Sequence, residues 1–148
     1  MTDLITDIPE DSFHELLIEI TKYIYKEIGV GHSEKVYHEC FGCELGKRFN
    51  IEQEKVVPVI FKDTEDIIRT VGFMRLDIFV HDLAKGKKYL LELKQIKALN
   101  TGEVNQIQRY VSMLGTYHDC KIDEAYLVNF PDPKKCQEIL DAEVKRVV

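Results

Sequence analysis

The order of hydrophobic patterns predicts an α/β chain, a mixed central β-sheet flanked by helices. Three observations carry this. Two amphipathic helical repeats open the chain. Three strand-like runs joined by short turns follow them, as an antiparallel meander. A strand–helix–strand passage closes it, and such a crossover returns the last strand parallel to the one before it.

Each element has a local cause. Ser12 to Glu15 reads S-x-x-E, a capping box. Phe13, Leu16, Leu17, Ile20, Ile24 and Ile28 follow at helical spacing, and Gly29 and Gly31 end the helix. Ser33 stands where it can cap a second helix, whose apolar side is Val36, Tyr37, Cys40, Phe41 and Leu45. Ile51 to Phe61 is rich in Val and Ile, and Pro58 within it predicts an edge strand. After a charged turn at 62–66, Val71 to Val80 alternates, with Met74, Leu76, Ile78 and Val80 on one face and Phe73, Arg75, Asp77 and Phe79 on the other. A turn around Gly86 leads to the return strand, Lys88 to Lys94. Asn100 and Thr101 punctuate the chain before a helix over about 103–117, with a core stripe of Val104, Ile107, Val111 and Leu114. Glu124 to Phe130 is a short buried strand stopped by Pro131 and Pro133. Residues 134–142 read as one or two helical turns and 143–148 as a terminal strand.

The chain of 148 residues, 45% of them hydrophobic and 31% charged, can build one real core. A single domain is expected, with N-terminal helices over about 12–48, a sheet-and-helix core over about 51–131 and a tail over 132–148. No apolar run reaches the ~18 residues of a membrane span, and the acidic start lacks the pattern of a secretory signal. An intracellular, soluble protein of cytoplasm or nucleus is therefore expected. The net charge of −6 argues against a protein that coats DNA through phosphate contacts alone. It suits a site whose own carboxylates are offset by divalent cations.

That site is built around Asp77, Glu92 and Lys94. Strand period puts Glu92 and Lys94 on one face, and Asp77 lies on the preceding strand across the hairpin. Two converging carboxylates repel unless a hard cation sits between them. Mg²⁺ takes such oxygen ligands, and it can polarise a phosphodiester and acidify a water. A neighbouring ammonium can position that water or offset developing charge. By spacing alone, a solvent-facing strand with a cross-strand ion pair, worth about 0.2–1 kcal/mol, fits as well.

Five motifs in order narrow the choice. Gly31 to Tyr37 reads G-x-x-E-x-x-Y, Arg75-Leu76-Asp77 reads R-x-D, and Leu91 to Lys94 contains E-x-K. Gln106 to Tyr110 reads Q-x-x-x-Y, and Leu127 to Phe130 reads L-x-N-F. This succession, over roughly residues 12–131, resembles the GxxExxY family of the PD-(D/E)XK nuclease superfamily. The resemblance implies a restriction-endonuclease-like fold and Mg²⁺- or Mn²⁺-dependent hydrolysis of DNA phosphodiesters. It implies that Asp77 and Glu92, the Leu93 carbonyl and Glu34 hold the metal, that Lys94 is catalytic, and that Gln106 lines the site. Tyr37, Arg75 and Tyr110 would support the site or touch substrate. Three positions depart from the family pattern: Glu103 where relatives carry His, Gln95 where a small residue is usual, and Pro131 where glycine is common.

Other readings stand beside these. Gln106, Tyr110, Met113 and Tyr117 form one helical stripe that can simply pack at the sheet's rim. Lys85, Lys87, Lys88, Lys94 and Lys97 can form a positive rim for a phosphate backbone, or a solvated turn. Cys40 and Cys43 have the C-x2-C spacing of zinc sites but lie in a helix, where buried thiols are the plainer reading. The whole can also be an inactive nuclease-fold module that binds nucleic acid or a protein. A homodimer or protein partner would add surface to so short a chain. Strand form of the substrate, DNA against RNA, sequence preference and pathway are not written in these residues.

Overall fold

A computed structural model describes residues 12–97, 99–133 and 141–148. Its elements run α1 (Phe13–Ile28), α2 (Glu34–Gly46), β1 (Asn50–Lys62), β2 (Ile68–Asp82), β3 (Lys87–Lys94), α3 (Thr101–Tyr117), β4 (Glu124–Asn129) and β5 (Glu143–Arg146). The five strands form one sheet in chain order. β3 and β4 run parallel and the other neighbours antiparallel, so the sheet is mixed as expected. β1 is an edge strand, which leaves room for Pro58. Of the helical turns expected over 134–142, residues 134–140 lie outside the described residues, and 141–142 are not helical.

Helices cover both faces. Phe13, Leu17, Ile20 and Ile24 of α1, with Tyr37, Phe41 and Leu45 of α2, pack on Tyr89, Leu91, Leu93, Tyr126, Val128 and Phe130. On the other face Ile107 and Leu114 of α3 meet Phe79, Leu90, Ala125 and Leu127. Burying an apolar side chain of this size is worth about 1.5–3 kcal/mol, so both layers hold the sheet. Ser12 caps α1 by accepting the Glu15 amide at 3.2 Å. Asn100 and Glu103 close a full capping box on α3, which starts two residues earlier than the periodicity suggests. Ser33 is the N-cap of α2, but its side chain makes no capping bond. Val36 is 37% exposed rather than core, and His38 takes a buried place on that helix.

One expectation about β2 needs correction. Met74, Leu76, Ile78 and Val80 do not line one core: Ile78 and Val80 join the α1–α2 layer, while Met74 and Leu76 join the α3 layer. The alternation breaks at Asp77. Opposite it in β1, Glu54 adopts φ 54°, and the pairing on either side, Gln53 with Ile78 and Lys55 with Leu76, skips both residues. Beyond that point β1 and β2 continue as a two-stranded ribbon, because β3 pairs with β2 only over Ile78–Asp82. The ribbon exposes Val56, Phe61, Ile68, Val71 and Phe73.

Candidate active site

The break in β2 is where the predicted carboxylates meet. The β2–β3 ladder ends at Ile78 with Leu91, so Asp77 and Glu92 would be the next pair. They do not form a ladder pair. Instead the Asp77 N–H donates to Glu92 Oε1 at 3.1 Å, and the Leu93 N–H donates to Asp77 Oδ2 at 2.7 Å. Each side chain thus accepts an amide from the other strand, and the splayed backbones stay satisfied through carboxylates rather than carbonyls.

Glu92 shares its side of β3 with Leu90, under α3, and is only 5% exposed. The solvent-facing reading of this strand is therefore wrong: the acid is buried. Burial, and then the Asp77 carboxylate in contact with it, push the Glu92 carboxyl up to about 9, and Lys94 pulls it back in part. Two acids in contact inside a protein, with a single ammonium nearby, are a poor arrangement for an empty strand face. They match a hard divalent cation, whose charge removes the repulsion and whose preference is for oxygen donors. Asp77, Glu92 and the Leu93 carbonyl offer such a donor set.

Of the other expected residues, Lys94 and Tyr110 lie within electrostatic reach of Glu92. Lys94 is half-buried at the end of β3; its carbonyl accepts the Phe130 amide at 2.9 Å. Gln106 Nε2 donates to the Tyr110 hydroxyl at 2.9 Å. Burial raises the Tyr110 phenol, and the charge of Glu92 adds to it. Arg75 is exposed on β2, two residues before Asp77. Tyr37 serves the framework: it is buried, stacks on Phe130 with centroids 4.2 Å apart, and donates to the Gly29 carbonyl at 3.0 Å. Glu34 begins α2 and is exposed. Among the described residues no three His, Cys, Asp or Glu side chains gather into a metal cluster, so Glu34 does not close on the Asp77–Glu92 pair.

Two further expectations change. Lys85, Lys87 and Lys88 sit at the hairpin end of β3, and Lys88 is about 20 Å of strand away from Lys94 at ~3.3 Å per residue. Lys88, the nearest of them to the acids, is about 13 Å of strand from Glu92 at that rise, so the cluster is set apart from the pair. Cys40 is partly buried but Cys43 is exposed, so only the first approaches the buried thiol expected, and among the described residues no third ligand gathers with them.

Three neighbours of the site were missed by motif reading. His38, 8% exposed, donates from Nε2 to the Asp77 carbonyl at 3.0 Å. Asn129, fully buried, accepts the Ile96 amide and donates to the Ile96 carbonyl, both at 3.0 Å, holding the chain just past Lys94. Gln95 donates from Nε2 to the His32 carbonyl. Asn129 had a signal, as the N of L-x-N-F, and Gln95 had one as a departure from the family pattern; His38 had none.

The comparisons bear on the family and the fold. The model of the PD-(D/E)XK nuclease superfamily matches residues 11–147. Among solved structures the chain is similar to the crystal structure of SSO0001, at 15% identity and a TM-score of 0.55 over 76% of this chain. The match covers 49% of that chain, so this sequence spans about half its length, and the likeness is one of fold. No curated protein matches. Among the described residues no helix is long and apolar enough to cross a membrane.

Proposed function

The chain belongs to the PD-(D/E)XK nuclease superfamily, and from that premise we propose that it is a Mg²⁺- or Mn²⁺-dependent nuclease, of the GxxExxY type, that hydrolyses DNA phosphodiesters. The observation that carries this is the contact of half-buried Asp77 with buried Glu92 at the break between β2 and β3, with Lys94 beside it.

In this reading Asp77, Glu92 and the Leu93 carbonyl hold the cation, and Glu34, which does not close on the pair, reaches it through water. The bound ion supplies charge neutralisation of the phosphate and acidification of a water. The chain's own groups do the rest. Asp77 and Glu92 are kept in place by the amides of Leu93 and Asp77, so their orientation is set before substrate arrives. Lys94 donates to the attacking water or to the phosphate oxygens as negative charge grows there. Gln106 and Tyr110, already bonded to each other, hold the opposite wall. Arg75 is an exposed cation on the same strand as Asp77 and meets the phosphate backbone.

Purified protein with Mn²⁺ is expected to cut DNA in a panel of duplex, single-stranded and branched forms. Lys94→Ala is expected to lose about 10²-fold or more in rate, the scale of removing one preorganised donor. Wild type and Lys94→Ala equally silent on that panel and on RNA would end the catalytic reading. A second reading is a non-cleaving module of the same fold that binds nucleic acid or a protein partner, and the net charge of −6 suits the protein partner. Calorimetry separates the two: heat of Mn²⁺ binding that Asp77→Asn removes belongs to the enzyme.

A further inference from the structure

Glu34 stands one helical turn before His38, so the two side chains project from the same side of α2. His38 is almost fully buried, and its ring donates to the carbonyl of Asp77 at 3.0 Å. That carbonyl lies where the β2–β3 ladder has stopped. The imidazole thus satisfies an acceptor at the break and pins α2 to the residue that carries the site.

A second tie comes from the other strand. Gln95, next after Lys94, donates to the carbonyl of His32, two residues before Glu34. His32 is held again by its own neighbours. Its amide donates to the Tyr37 hydroxyl at 3.2 Å, and its ring meets the Ile28 carbonyl at 2.7 Å. The turn that delivers Glu34 is therefore bonded to the end of β3, and the helix that carries it is bonded to the middle of β2.

We propose that His38 and Gln95 are positioning residues, which hold α2, and with it Glu34, in register with the Asp77–Glu92 pair. This rests on the nuclease reading above. Both side chains are committed to backbone carbonyls, so they act through Glu34 and Asp77 and not as ligands themselves.

The test is Mn²⁺ calorimetry beside metal-free thermal melting. His38→Leu and Gln95→Met remove the N–H donors; His38→Gln and Gln95→Lys keep one. The first two are expected to weaken Mn²⁺ binding by about 10-fold or more, the usual cost of losing a partner that orients a metal ligand. The second two are expected to restore it. In a Glu34→Gln background, Gln95→Met should cost nothing further. Should His38→Leu unfold the protein, the half-buried Gln95 still carries the test. The proposal falls if the donor-less variants melt lower but bind Mn²⁺ as wild type does. It falls equally if Gln95→Met costs as much without Glu34 as with it. Wild type that binds no Mn²⁺ would remove the nuclease reading itself, a different result from wild-type binding that the variants leave unchanged.

Discussion

Glu92 concentrates the chemistry of the site in one side chain. Its carboxyl is pushed from the ordinary 4.5 up to about 9 by burial and by Asp77. A group whose folded pKa is raised stabilises the fold fully below its unfolded value and loses that contribution as pH climbs through the folded one. Without metal, the melting temperature should therefore fall as pH rises between about 4.5 and about 9. Glu92→Gln should flatten that slope. Saturating Mg²⁺ should also remove it, with release of a proton, because the cation takes the proton's place. Thermal melts at several pH values, with and without Mg²⁺, read all three. At this scale the motifs named Asp77, Glu92 and Lys94 from their order, and their residue types carried the chemistry. The partners that set their orientation were not legible. His38 and Gln95 bond to backbone carbonyls 39 and 63 residues away, and nothing in their own neighbourhood encodes such a contact. Two departures from the family pattern make sense only in three dimensions. Glu103 closes the capping box on α3 by accepting the Asn100 amide at 3.1 Å, and Gln95 ties the Glu34 turn to β3.

Among the elements, β2 decides where the site can be. A regular strand would have paired Asp77 with Glu92 through backbone bonds and turned each side chain to a fixed face. The irregularity at Glu54 and Asp77 opens the two strands there and lets the carboxylates take the amides. Period-two reading found the strand but assumed that its alternation was unbroken, so it placed Met74 and Leu76 with Ile78 and Val80. A break of this kind, with one residue unpaired on each strand and the register unchanged, has no glycine or proline to announce it. Glu54 holds φ 54°, a conformation costing L-residues roughly 1–2 kcal/mol. Glu54→Gly should therefore leave stability unchanged or raise it by up to about 1 kcal/mol in urea unfolding, against the loss usual for glycine inside a strand. The other elements were legible because their causes are local: α1 from its S-x-x-E start, β1 at the edge from Pro58, and the parallel β3–β4 pair from the helix between them.

For the whole molecule, a mixed five-stranded sheet between two helical layers brings residues from four elements to one place. Asp77 comes from β2, Glu92 and Lys94 from β3, Gln106 and Tyr110 from α3, and α2 closes the side through His38. The net charge of −6 sharpens what that place must do. An acidic protein with a half-buried acid against a buried one meets a polyanion only if cations neutralise the meeting point. The order of motifs made this fold readable from the sequence. The depth at which Glu92 lies was not readable, because burial depends on α3 covering β3. The claim that the carboxylate pair is a cation site is tested most directly by anomalous diffraction from crystals soaked in Mn²⁺. A manganese peak bridging Asp77 and Glu92, beside the Leu93 carbonyl and lost in Asp77→Asn, is the expected result. Saturating Mn²⁺ that leaves this position empty, or a peak that persists without the Asp77 carboxylate, would contradict it.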